Sequence, residues 1–243
     1  MAKLFKVGGC VRDGLLGVPT KDIDFTFVCE ASTTVEEGWE EMRSWMISEG
    51  FEIFLETQEM YTIRAKFPKT HVHAGLVADF VMARKEVGYE PDSRRPILEL
   101  GTLEDDLIRR DFTVNAMAED EDGNLIDLFN GQWALEARML ITPRNEQITM
   151  MDDPLRLLRA FRFSITKGFT ISPRIWETLF LEKVLVKLEK TVSGERIREE
   201  LTKMFHHDTI KTLELITEIQ RLNPELINII FKKGLWLKPT FEK

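Results

Sequence analysis

The chain has 243 residues, 43% hydrophobic and 30% charged, with a formal net charge of −8. Such a length can bury one large core or two modest ones, and the balance is that of an ordinary soluble globular protein. No apolar run is long enough to span a membrane, no cleavable signal follows Met1-Ala2-Lys3, and two cysteines are too few for a disulfide framework, so a reducing cytoplasm is expected.

Leu4, Phe5 and Val7 form an apolar strand lead-in that ends on Gly8-Gly9, followed by Arg12 and Asp13 in a short helical turn. Glycines without Cβ atoms let backbone N–H groups approach an anion closely. Asp22-Ile23-Asp24 then enters an apolar run, and in a strand the i, i+2 spacing puts both carboxylates on one face. Paired carboxylates repel unless a cation sits between them, and hard oxygen ligands suit Mg²⁺. A phosphate-cradling turn beside a magnesium-holding pair is equipment for phosphoryl or nucleotidyl transfer. The order GGCVRD followed by Asp-Ile-Asp resembles the opening signature of the tRNA nucleotidyltransferase/poly(A) polymerase family, the class that includes bacterial CCA-adding enzymes.

Thr33–Ser48 is predicted as a helix, with Thr33 and Glu36 at capping-box spacing and Val35, Trp39, Met42, Trp45 and Met46 as its core stripe. Residues 51–55 and 60–67 read as strands, the second as a partner for the strand of Asp24. His71 and His73 fall in a turn without a third ligand and are expected to be solvated. Residues 76–84 form another strand, in which Asp79 stands among Val77, Phe80 and Val81. A carboxylate there needs a partner. That partner is either an arginine such as Arg84, or the metal held by Asp22 and Asp24. The segment DFVMARKE resembles the family's Asp/Glu element before Arg-x-Glu, which favours the metal.

Residues 89–96 should form a loop carrying Arg94-Arg95, similar to the family's Arg-Arg/Lys-Pro element. Residues 109–116, RRDFTVNA, resemble a second family motif. Arg110 can donate to triphosphate oxygens through its planar guanidinium, Asp111 can accept from a ribose hydroxyl or orient that arginine, and Asn115 adds an amide. The alternative is a helix end tied by an Arg–Asp pair. Residues 125–131, LIDLFNG, resemble the family's IDPFxG segment with Leu128 in place of proline, and a helix near 133–138 follows.

Residues 151–167 should be helical from Pro154, with Arg156, Arg159 and Arg162 on one ridge and Leu155, Leu158 and Phe161 on another. The run DDPLRLLRAFRF resembles the family's EDxxRxxR motif, with Asp152 in the usual Glu position. That resemblance implies that Asp153 and Arg156 hydrogen-bond the Watson–Crick edge of the incoming base, and that Arg159 and Arg162 meet the nucleotide or its phosphates. Ser172-Pro173 opens a helix expected to run to about Lys190, with Ile175, Leu179, Phe180, Val184 and Leu188 inward. Glu195, Arg196 and Glu200, in a stretch similar to the family's neck, read as caps or braces without chemistry. His206-His207-Asp208 lacks the further ligands of a metal hydrolase, and one or two short helices broken near Pro224 complete the pattern.

The expected fold is α+β: a nucleotidyltransferase-type mixed β-sheet head with flanking helices over residues 1–148, then a helical neck with a short extension over 149–243. Residues 1–150 carry 16 Lys+Arg against 28 Asp+Glu, whereas 151–243 carry 17 against 13. The second part is therefore the better place for a polynucleotide, unless its excess is only a solvated helical surface. The resemblance implies an RNA nucleotidyltransferase that adds CMP or AMP from CTP or ATP to an RNA 3′ end, tRNA being the expected acceptor. Asp22, Asp24 and Asp79 would hold two Mg²⁺ ions, and Gly8, Gly9 and Arg12 would cradle the triphosphate. The alternatives are a CC-adding, A-adding or poly(A)-adding relative, and a non-catalytic nucleotide-binding adaptor. Relatives continue into a body that grips RNA, so that surface is here either missing, supplied by a partner or second copy, or not used.

Overall fold

The computed structural model describes residues 3–20, 23–89 and 96–232. Asp22, the Arg94-Arg95 pair and the end of the chain lie outside the described residues. Two compact units are present, the first ending at Glu136 and the second beginning at Ala137.

The first unit contains β1 (Lys3–Val7), α1 (Gly9–Leu15), β2 (Asp24–Val28), α2 (Val35–Ser48), β3 (Glu52–Thr57), β4 (Thr62–Lys66) and β5 (Val77–Met82). These are followed by β6 (Arg84–Tyr89), β7 (Pro96–Leu100), α3 (Leu103–Ile108), β8 (Met117–Glu119), β9 (Leu125–Asp127) and α4 (Gly131–Glu136). Seven strands form one mixed sheet in the order β3-β4-β5-β2-β1-β8-β9, while β6 and β7 make a separate antiparallel ribbon. The strand of Asp24 pairs antiparallel with β1 and parallel with β5. This corrects the expectation for 60–67: β4 lies between β3 and β5 and does not touch β2.

Strand alternation sorts the two faces. Phe25, Phe27, Phe80 and Met82 share one face and form a core with Trp39, Met42 and Met46 of α2. Complete burial of such side chains stabilises the fold by roughly 1.5–3 kcal/mol each. The opposite face carries Asp24, Thr26 and Asp79, and next to them Phe5 and Val7 pack with Leu107 of α3. The helix α2 starts one residue later than the spacing suggested, because Thr34 caps it and Glu37 closes the capping box. His71 and His73 are half-buried rather than solvated. Their rings lie 4.5 and 5.3 Å from that of Phe67, and desolvation lowers the His73 pKa.

The second unit contains β10 (Met139–Leu140), α5 (Glu146–Asp152), α6 (Leu155–Lys167), β11 (Thr170–Ile171), α7 (Pro173–Glu177), α8 (Glu182–Thr191), α9 (Gly194–His207), α10 (Thr209–Leu222) and α11 (Pro224–Lys232). Its core includes Leu158, Phe161, Leu201, Met204, Ile219 and Ile230, contributed by α6, α9, α10 and α11. The long helix expected over 172–190 is divided. A 3₁₀ turn at Thr178–Phe180 and an extended Leu181 (φ −87°, ψ 103°) separate α7 from α8, and Phe180 is exposed instead of inward. His206 and His207 end α9 on the surface, and the Asp208 carboxylate caps α10 by accepting from the Lys211 N–H.

Candidate active site

Four residues form one row across the sheet: Val7, Asp24, Asp79 and Arg64 are successive register partners on β1, β2, β5 and β4. Because β2 and β5 are parallel, the two carboxylates project from the same face. Both are half-buried. The arginine beside Asp79 is Arg64, with Nη1 3.6 Å from Oδ2; the guanidinium of Arg84, offered as the alternative to a metal, donates to the Met60 carbonyl. Asp22, the third expected carboxylate, lies outside the described residues. Among the described residues no group of three or more His, Cys, Asp or Glu side chains is gathered for a metal. Asp24 and Asp79 nevertheless fit a hard divalent cation. They are oxygen donors side by side, incompletely buried, with one half-exposed arginine nearby.

The glycine turn starts where β1 ends beside Asp24. Gly8 has φ +80°, which L side chains rarely adopt, and its N–H donates to the Met117 carbonyl. A Cβ there would meet Arg110 Nη1 at 2.6 Å, so the guanidinium of Arg110 lies across Gly8 only because the side chain is absent.

Beneath the turn is a buried polar network. Arg12, 6% exposed, donates through Nε and Nη2 to both oxygens of Asp13 at 2.9 Å, and through Nη1 to Asn115 Oδ1. Asn115 in turn donates from Nδ2 to Asp111 Oδ1 at 2.8 Å, and Asp111 also accepts from the Phe112 N–H. Gly8, Arg12, Arg110, Asp111 and Asn115 thus lie together, while Gly9 follows at the start of α1. Asp111, however, holds Asn115 and does not orient Arg110. That carboxylate is Asp106 on α3, which the sequence reading missed. Its signal was present: Asp106 stands three and four residues before Arg109 and Arg110, next to the buried Leu107. Burial raises its pKa, but the two guanidiniums outweigh that and hold the carboxyl well below the usual range.

The second unit carries its own set. Asp152 ion-pairs with Arg144. Asp153 accepts from the Leu155 N–H through Oδ1 and from Arg196 Nη2 at 3.0 Å through Oδ2. Arg156 donates to the Thr149 carbonyl at 3.1 Å. On the ridge expected to meet the nucleotide, Arg162 pairs with the buried Glu200 and lies over the Phe163 ring, while Arg159 Nη1 is 3.9 Å from the other Glu200 oxygen. Arg196 and Glu200 are therefore braces for Asp153 and for the arginine ridge.

Residues 4–141 match the model of the poly A polymerase head domain. The multifunctional CCA protein of Neisseria gonorrhoeae is 35% identical over 230 residues, which cover 91% of this chain and 50% of that protein. Its counterpart in Pseudomonas savastanoi pv. phaseolicola is 37% identical over 237 residues, covering 92% of this chain and 51% of that protein. Among solved structures, the Bacillus stearothermophilus CCA-adding enzyme in complex with CTP is similar with a TM-score of 0.73 and 26% identity, covering 96% of this chain and 52% of that one. The Thermotoga maritima CCA-adding enzyme complexed with tRNA gives a TM-score of 0.70 and 25% identity, covering 98% and 50%. The chain spans about half the length of the curated relatives it matches. Signature motifs, mixed sheet, family match and relatives agree: the chain belongs to the tRNA nucleotidyltransferase/poly(A) polymerase family.

Proposed function

We propose that this protein transfers CMP or AMP from CTP or ATP to an RNA 3′ end, tRNA being the acceptor, without a nucleic-acid template. The observation that carries the reading is the placement of Asp24 and Asp79 as register partners beside the Gly8 turn crossed by Arg110. The similarity to proteins named as CCA-adding supports the choice of substrate.

In the reaction the 3′-hydroxyl attacks the α-phosphorus in line. The new O3′–P bond replaces the bond to the β-phosphate oxygen, and pyrophosphate leaves. Magnesium, when held by Asp22, Asp24 and Asp79, supplies charge neutralisation at the phosphates and lowers the pKa of the acceptor hydroxyl. Gly8 and Gly9 allow the turn's backbone to approach the triphosphate, and Arg110 presents a planar cation across it. Arg12 and Asn115, enclosed with Asp13 and Asp111, keep the floor of that turn rigid. Asp79 has a second role open to it, accepting the hydroxyl's proton.

In the second unit Asp153 and Arg156 select the base by offering a carboxylate acceptor and a guanidinium donor to its Watson–Crick edge. Arg159 and Arg162, both beside Glu200, would meet the nucleotide or its phosphates.

The test is incubation of the purified protein with Mg²⁺, labelled CTP or ATP, and tRNA lacking its 3′ end. Labelled tRNA extended by C and A residues is expected. A long A-only product would reassign the enzyme to poly(A) addition, and no product with any RNA would leave only a nucleotide-binding adaptor. Crosslinking in the same assay reports whether a second copy takes part in holding the RNA.

A further inference from the structure

We propose that Asp106 is the positioning residue for the triphosphate side of the site, fixing Arg110 across Gly8 and tying it to the strand of Asp24. The inference deepens the nucleotidyltransferase reading and rests on it.

Asp106 is fully buried on α3, and each of its oxygens is engaged. Oδ1 accepts from Arg109, at 3.1 Å from Nε. Oδ2 accepts from Arg110 Nη2 at 2.9 Å and from the Thr26 hydroxyl at 3.0 Å. Thr26 is two residues beyond Asp24 on β2, so it shares that carboxylate's face. One carboxylate therefore links the strand of Asp24 to the guanidinium that crosses the glycine turn.

The geometry around Arg110 separates this arrangement from an ordinary buried ion pair. Nη1 would stand 2.6 Å from a Cβ on Gly8, and its distance to the Asn115 carbonyl is 3.5 Å, the long limit of a hydrogen bond. Nε is buried and has no hydrogen-bond partner among the described residues. Arg110 thus has one firm anchor, Asp106, and donor capacity to spare beside a turn built for close approach. A half-buried arginine without that anchor would lose its orientation toward a phosphate. Arg109 takes the other carboxylate oxygen, so Arg110 has only Oδ2 to hold.

Asp106→Asn keeps the size and one acceptor but removes the charge. Steady-state kinetics with CTP and with ATP should show the nucleotide KM raised about tenfold, with the KM for the RNA acceptor unchanged. Asp106→Glu, which restores the charge, should recover part of that loss. Combined with Arg110→Ala, Asp106→Asn should add almost nothing, because the two act through the same contact. An unchanged nucleotide KM, equal rises in both KM values, or effects that multiply would overturn the inference. If Asp106→Asn does not fold, Thr26→Val removes only the hydroxyl link, and a rise of about threefold in nucleotide KM is then expected; no rise overturns it. Calorimetric titration with CTP distinguishes the two layers. Wild-type binding that Asp106→Asn weakens, without RNA extension, sinks the acceptor assignment and sustains this one. Absence of CTP binding by the wild type sinks both.

Discussion

Asp24 and Asp79 face each other as register partners on adjacent parallel strands, although 55 positions separate them in the sequence. Like charges side by side repel, and Arg64, whose Nη1 lies 3.6 Å from Asp79, is 54% exposed. An exposed pair of that kind contributes only about 0–1 kcal/mol. Paired oxygen donors of this kind suit a hard divalent cation.

Replacing either by asparagine should therefore separate activity from stability. Asp24→Asn and Asp79→Asn are each expected to lower RNA extension by at least about 100-fold, since a positioned charge at the phosphates is lost. Relief of the repulsion should leave the melting temperature equal to or above that of the wild type. Arg64→Ala should change unfolding free energy by less than about 1 kcal/mol. Near-normal extension by either asparagine variant would remove these residues from the metal site.

Gly8 and Gly14 make a matched test of the turn. At Gly8 a methyl group meets both a positive φ and the Arg110 guanidinium, so Gly8→Ala should destabilise by about 1–2 kcal/mol and raise the nucleotide KM. At Gly14, within α1, nothing lies within 4 Å of an added Cβ. Gly14→Ala should instead be neutral or stabilise by about 0.4–1 kcal/mol. Urea titration of both variants checks this, and equal effects would mean that Gly8 is not a close-approach position.

The local devices of this fold were legible in the sequence, and the long-range ones were not. The strand that opens at Asp24, the core stripe of α2 and the Pro224 break follow from period and chemistry within a dozen residues. The neighbour of β2 did not follow, because β4 and β5 both put alternate apolar residues on the core face and only the assembled sheet decides which of them sits beside Asp24. Leu181 breaks the helix over 172–190 without proline or glycine, so its apolar periodicity continued through the break. Asp106 was hidden for a related reason. In the acidic stretch Glu104-Asp105-Asp106, the spacing of Asp106 to Arg109 and Arg110 is a weak signal until burial singles it out from the carboxylates that cap and solvate the helix.

The cysteines give a pH test. Desolvation raises the Cys10 pKa, and desolvation together with the nearby Glu41 carboxylate pushes Cys29 up to about 12. Both are therefore thiols in the folded protein at neutral pH, whereas in the unfolded chain they ionise near 8.5. A folded pKa raised above the unfolded one makes no difference while both states are protonated. Stability falls as pH rises from about 8.5 toward 12, because only the unfolded state releases protons. Ellman's reagent at pH 7.5 should react slowly with the native protein and with both thiols in urea, and Cys29→Ala should flatten the alkaline loss of stability. Fast reaction of the Cys10 thiol in the native protein would contradict its burial.

Glu200 is where the second unit has the most to lose. It is 4% exposed and holds Arg162 directly, while Arg159 approaches its other oxygen at 3.9 Å. Removing one member of a buried pair leaves the other charged, desolvated and without its partner, which costs about 3–5 kcal/mol. Glu200→Ala should therefore lower the urea midpoint far more than Glu195→Ala does, since Glu195 sits exposed in the first turn of the same helix. Glu200→Leu combined with Arg162→Met should recover part of the stability, because both charges leave together and the α6–α9 contact becomes apolar. The double variant should still extend RNA poorly if Arg162 serves the nucleotide, and normally if the pair only braces the helices. A loss below about 1 kcal/mol for Glu200→Ala would mean that water reaches the pair and that the ridge of Arg159 and Arg162 is not held in place by it.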